Sequence, residues 1–150
     1  MKSKQYVALF STGTRVCEEY IKVPLEVALM WKVGGHSSGV IQLIDYFELP
    51  DFHLLVMERP GTSAQACKDL FDFISDHKRL EEPLARHIFH QVVQTVQECH
   101  EAGVIHRDIK DENILIDVKS HQAKLIDFGS GARLHDETYT DFEGKKQYFV

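Results

Sequence analysis

The sequence predicts an α+β chain, with a small strand-rich part leading into a mostly helical part near residues 58–61. Three observations carry that expectation. "VIQLIDYFEL" (40–49) and "FHLLVMER" (52–59) are apolar runs separated only by Pro50 and Asp51, the pattern of an antiparallel hairpin. "EPLARHIFHQVVQTVQECHE" (82–101) repeats its apolar residues at helical spacing. After it, "VIH", "ILID" and "AKLIDF" are short strand-like pieces separated by charged turns.

The elements follow in order. "YVALF" (6–10) reads as a strand, followed by a polar loop reaching Lys22. "PLEVALMWKV" (24–33) predicts a helix, since proline suits a first helical position and Leu25, Ala28, Leu29 and Val33 share a face. Trp31 belongs at its edge, packed rather than binding. "GGHSSG" (34–39) is a breaker-rich connecting loop. "PGTSAQA" (60–66) is another loop, and "CKDLFDFISDH" (67–77) a short helix. The long helix carries Glu81, Glu82 and Pro83 at its first turn, where negative charge meets the positive end of the helix dipole. Ala85, Ile88, Phe89, Val92, Val93 and Val96 form its broad apolar face, and Gly103 is a natural stop. The last stretch, "ARLHDETYTDFEGKKQYFV", has no clear period.

Bulk properties narrow the function. A chain of 150 residues holds one compact domain, and its net charge of −6 argues against broad attraction to nucleic acid or an anionic membrane. Basic partners suit that surface better. Cys17, Cys67 and Cys99 are widely spaced and odd in number, as free thiols in a reducing compartment are. No apolar run approaches membrane-spanning length and no signal-peptide core opens the chain, so a soluble cytoplasmic or nuclear protein is expected.

The chemistry concentrates in "HRDIKDENILID" (106–117), two basic residues, an asparagine and several carboxylates ahead of an apolar run. Read blandly, it is a solvated turn between strands. Against that, Asp127 follows in "LIDFG", a carboxylate beside a glycine after an apolar strand, well placed to hold a divalent cation. Mg²⁺ prefers hard oxygen ligands and borrows the rest from phosphate and water, so an aspartate and an asparagine can share it. The spacing H-R-D-x-K-x-x-N, with D-F-G starting 19 residues after the first aspartate, fits phosphoryl transfer.

These two segments resemble the catalytic and magnesium loops of eukaryotic protein kinases, and Lys110 two residues after Asp108 resembles the serine/threonine class. "PLEVALM", "SGVIQLIDYFE", "ERP", "DLFDFI" and "YTDFEG" are similar to the Pim kinases, from about Pro24 onward. The resemblance implies a partial antiparallel-sheet N-terminal lobe over about 1–57, a hinge at 58–60, and the first half of a helical C-terminal lobe over 61–150. It implies that Asp108 orients or accepts the substrate proton, that Lys110 stabilises the transferred phosphoryl, and that Asn113 and Asp127 hold Mg²⁺ against ATP. Glu26, Glu58, Leu115 and Asp127 would serve the nucleotide, with Met57 as gatekeeper and Pro60 removing one backbone donor from the hinge. His106 and Phe128 would join the hydrophobic spine. Asp69, Asp72 and Glu112 match positions that receive basic residues of a protein substrate, and a monomer is expected.

The chain also departs from the pattern. It has no G-x-G-x-x-G, Phe10 stands where the nucleotide-orienting lysine belongs, and it ends at Val150, so a kinase domain short at both ends is expected. Those departures support a second reading, a pseudokinase or interaction fragment that keeps the shape without catalysis. A metal-dependent hydrolase, suggested by His87 and His90 at i, i+3, lacks a third ligand at fitting spacing. Thr138, Tyr139 and Thr140 match an activation segment, with Arg107 as the family's receiver of a phosphate.

Overall fold

A computed structural model of the chain describes residues 5–8, 21–61, 66–136 and 139, and for 5–8, 21 and 22 the backbone alone. The first strand, β1 (Gln5–Ala8), pairs antiparallel with β2 (Ile21–Pro24), Gln5 opposite Pro24 and Ala8 opposite Ile21. The expected polar loop therefore ends sooner than Lys22. Lys22 and Pro24 interrupt the apolar residues of β2, so it shows no apolar run, and it forms its ladder on β1. Phe10 lies outside the described residues.

Pro24 ends β2 at φ −54° and ψ 149°, an angle its ring already prefers, and α1 (Leu25–Gly34) starts one residue later than expected. Val27, Leu29, Met30 and Val33 are buried on α1, whereas Leu25 and Ala28 are only partly so. The helix is covered on more than one side, which a single-face reading misses. Then β3 (Leu43–Glu48) and β4 (His53–Met57) form the expected hairpin, closed by Leu49 N–H donating to the Phe52 carbonyl at 2.9 Å.

The segment expected as one helix from Cys67 divides. Cys67–Asp69 is β5, and α2 runs Leu70–His77. Asp69 stops the strand and starts the helix, because its carboxylate accepts the Asp72 N–H at 2.7 Å. The long helix α3 is Glu82–Glu101, as its period and its early proline predict. Its buried residues are Ile88, Thr95 and Cys99, while Phe89 is 70% and Val93 41% exposed, so part of the expected apolar face is uncovered.

Short strands follow: β6 (Val104–Ile105), β7 (Ile114–Asp117), β8 (Ala123–Leu125) and β9 (Ala132–Arg133). The central strand β7 of an antiparallel sheet lies between β5 and β8, while β6 pairs with β9. The loop after α1 joins the first part of the chain to this sheet: Leu125 N–H donates to the Gly39 carbonyl at 2.7 Å, and Ile41 N–H to the Leu125 carbonyl at 3.0 Å. Gly39 is more than a connector, because a β-carbon there would stand 1.9 Å from Thr95 Oγ1 on α3. One buried cluster runs from α1 through Val40 and Ile41 to Ile116, Leu125 and Phe128, so both parts share a core. No helix among the described residues is long and apolar enough to cross a membrane.

Candidate active site

The charged turn sits between two ladders. β6 ends at Ile105, and a single helical turn at Asp111–Asn113 leads into β7. Between them Arg107 adopts φ 67°, a left-handed conformation that a non-glycine residue rarely takes. Its guanidinium Nε donates to the Ser130 carbonyl at 2.7 Å, which ties the turn to the segment after Phe128. The Asp108 carboxylate oxygen Oδ2 accepts from Lys110 Nζ at 2.8 Å and from Asn113 Nδ2 at 3.0 Å. Asn113 Nδ2 also reaches the Asp108 carbonyl at 2.9 Å. The Lys110 and Asp108 side chains are only 7% and 11% exposed, so their attraction is shielded less by water than a surface pair's. Two charge-assisted donors on one oxygen fix the direction of that carboxylate.

His106 anchors the turn from below. It is 2% exposed, packs edge-on against the buried Phe128 ring, and bonds the Ile126 carbonyl through Nε2 at 2.9 Å. Asp108 N–H donates to its Nδ1 at 3.3 Å, so the neutral ring carries its proton on Nε2. Burial pushes the His106 pKa below its ordinary value, against the opposing pull of the Ile126 carbonyl and the nearby carboxylates.

Asp127 reaches the same place from two residues past the end of β8. Ile126 N–H donates to the Asn113 carbonyl at 2.9 Å, which sets Asp127 beside the Asn113 turn. Asp127 has φ 64°, and its Oδ1 accepts the Gly129 N–H at 3.1 Å. A β-carbon at Gly129 would lie 3.0 Å from Asp127 Oδ1 and 3.9 Å from Glu26 Oε2. Glu26 and Asp127 thus approach the same glycine. Burial first, and the Asp127 charge second, push the Glu26 carboxyl up from its ordinary value. Among the described side chains no lysine or arginine forms an ion pair with Glu26.

The donor chemistry suits Mg²⁺. Asn113 uses its amide nitrogen on Asp108, which leaves its side-chain oxygen as the remaining donor. Asp127 is exposed and uses one carboxylate oxygen on Gly129. Among the described residues no three His, Cys, Asp or Glu side chains cluster as a metal site. The protein's oxygens here match an ion that takes its other ligands from phosphate and water.

The other expected residues divide. Glu58 is engaged elsewhere: its Oε1 accepts from Gln42 N–H at 3.0 Å and from Lys124 Nζ at 2.8 Å. Burial raises its pKa, yet the Lys124 hydrogen bond, the Gln42 N–H and the Lys124 charge together bring it below its ordinary value. Leu115 is partly buried in β7, opposite Asp69 and Lys124. Met57, expected as gatekeeper, is 42% exposed at the end of β4. Asp69 is occupied as the cap of α2; Asp72 and Glu112 are exposed, on a helix and a turn that touch. Glu112 also lies 3.4 Å from Lys110 Nζ. Arg107 as a brace and the Glu26–Asp127 approach were not legible, since each depends on chain segments far apart in sequence. His87 and His90 are both exposed on α3.

Residues 3–150 match the protein kinase domain family. The chain belongs to that family. It is 50% identical over 133 residues to the serine/threonine-protein kinase pim-2 of Danio rerio, covering 84% of this chain and 42% of that protein. It is 42% identical over 127 residues to the serine/threonine-protein kinase prk-2 of Caenorhabditis elegans, covering 85% of this chain and 28% of the relative. A PAS domain-containing serine/threonine-protein kinase of Mus musculus is 48% identical over 113 residues, covering 75% of this chain and 8% of the relative. The chain thus spans less than half the length of these kinases, and its partial α+β architecture is that of part of a kinase domain.

Proposed function

We propose that the chain binds Mg-ATP and carries the catalytic segment of a Pim-like serine/threonine kinase acting on protein substrates with basic residues near the target hydroxyl. The observation that supports this most is the shared turn: Lys110 and Asn113 orient the Asp108 carboxylate, and Ile126 N–H on the Asn113 carbonyl sets Asp127 beside it. Asp108 receives or directs the proton of the substrate hydroxyl. Lys110, bonded to Asp108, presents a positive charge next to the group in transfer. Asn113 and Asp127 are the residues that would hold Mg²⁺, which when bound neutralises charge on the ATP phosphates. Exposed Asp72 and Glu112, in a chain of net charge −6, favour a basic peptide.

The test is transfer of labelled phosphate from Mg-ATP to a serine peptide rich in arginine. Asp108→Asn should lower the rate by about 10²–10⁴-fold while leaving nucleotide affinity near its original value. Equal transfer by both chains would sink the catalytic reading. A second reading, nucleotide or partner binding without catalysis, is favoured by one feature: the Glu26 carboxylate is set near Asp127 rather than a cation among the described side chains. Mg-ATP binding with no transfer in either chain would select it.

A further inference from the structure

The hinge residue Glu58 is held by groups that the roles above leave unused. Its N–H donates to the Gln42 carbonyl at 2.8 Å, and its Oε1 accepts the Gln42 N–H at 3.0 Å, so main chain and side chain both grip the segment ahead of β3. The same oxygen accepts from Lys124 Nζ at 2.8 Å. Lys124 stands in β8, one residue before Leu125, whose N–H and carbonyl bond Gly39 and Ile41, and three before Asp127. One carboxylate oxygen thus links the hinge, the segment entering the hairpin, and β8, which leads into Asp127.

We propose that Lys124 is a positioning residue for nucleotide binding: through the Glu58 carboxylate it sets the hinge backbone relative to β8, which leads into Asp127. The inference rests on the Mg-ATP reading above. Its physical basis is the shielding and convergence of the brace. The Lys124 and Glu58 side chains are 18% and 30% exposed, so their attraction is stronger than that of a fully solvated pair. Three hydrogen bonds on one residue leave Glu58 few alternatives. Pro60 contributes no N–H, so the hinge has fewer groups with which to hold a base, and the placement of those left matters more. Removing the ammonium leaves a half-buried carboxylate satisfied by one backbone N–H and frees β8 to shift against the hinge.

The test uses the whole 150-residue chain with Mg-ATP titrated calorimetrically, beside hydrogen exchange at the Glu58 amide and a circular dichroism melt. Lys124→Met should weaken Mg-ATP binding about tenfold and speed exchange at Glu58, and Lys124→Arg should restore most of both. Lys119→Met, on an exposed turn, should change neither. Should Lys124→Met fail to fold, Glu58→Gln keeps an acceptor for Gln42 while removing the charge, and should show the same two effects. Unchanged affinity and unchanged exchange in folded Lys124→Met or Glu58→Gln would overturn the brace. An original chain with no affinity for Mg-ATP would instead refute the nucleotide reading, and with it the purpose given to the brace; exchange at Glu58 still separates that outcome from a missing brace.

Discussion

Burial gives two titrating residues at the candidate site opposite effects on stability. His106 is neutral in the folded chain, with a pKa lowered by burial. The unfolded chain, with an ordinary histidine near pH 6.5, then binds the proton more readily. The His106 contribution is therefore complete above about pH 6.5 and is lost as pH falls from there toward the folded value. Glu26 has the other sign: its raised pKa makes the folded chain bind the proton more readily, so stability falls as pH rises above the ordinary glutamate value. Urea midpoints between pH 7.5 and 5.5 should show His106 adding a slope of at most about 1.4 kcal/mol per pH unit. His106→Gln should flatten that slope, and in midpoints followed upward from pH 4.5 Glu26→Gln should remove the fall in stability that begins at the ordinary glutamate value. A pH profile identical in all three chains would contradict both assignments. The sequence names His106 by its place in a motif, but its neutral state follows from burial against the Phe128 ring, which outweighs the opposing pull of the Ile126 carbonyl.

Elements were legible in proportion to how local their causes are. The α3 limits follow from a helical period sustained over twenty residues with an early proline, and the hairpin from two long apolar runs around a short turn. β2 and β5 were missed because IKVP and CKD hold no continuous apolar run, and both strands depend on partners supplied elsewhere. Asp69, matched to substrate recognition, is engaged as the cap of α2, a role that shows only once the strand ends there. The contact between the loop after α1 and α3 gives an element-scale prediction. Gly39→Ala would press a β-carbon into Thr95, and overpacking of that kind costs about 1–3 kcal/mol. Thr95→Ala loses the hydroxyl bond to the Gln91 carbonyl, but the double variant should be more stable than the two single effects summed. Denaturant midpoints of the four chains measure this, and strict additivity would mean that loop and helix do not meet there.

At the scale of the molecule, the two parts share one buried cluster, and the candidate site lies where they meet. A ligand bound by groups on both α1 and the turn before β7 should therefore stabilise the whole. Mg-ATP at about 100 times its dissociation constant should add roughly 2.7 kcal/mol, seen as a higher melting temperature. Asp127→Asn should remove most of that shift while the melt stays cooperative. A shift equal in both chains would place the nucleotide elsewhere or deny Asp127 its part.

By itself, the sequence determined the class of the fold, the long helix, the hairpin, and the spacing of Asp108, Lys110, Asn113 and Asp127. Each of these is written in residues close enough along the chain to share one turn, one period or one motif. Tertiary structure alone decided which side chains those groups touch. It set Glu26 toward Asp127, Arg107 onto the Ser130 carbonyl, and Lys124 onto Glu58 across 66 residues. Contacts of that reach leave no local pattern, because the chain between the partners is free to be anything that folds them together.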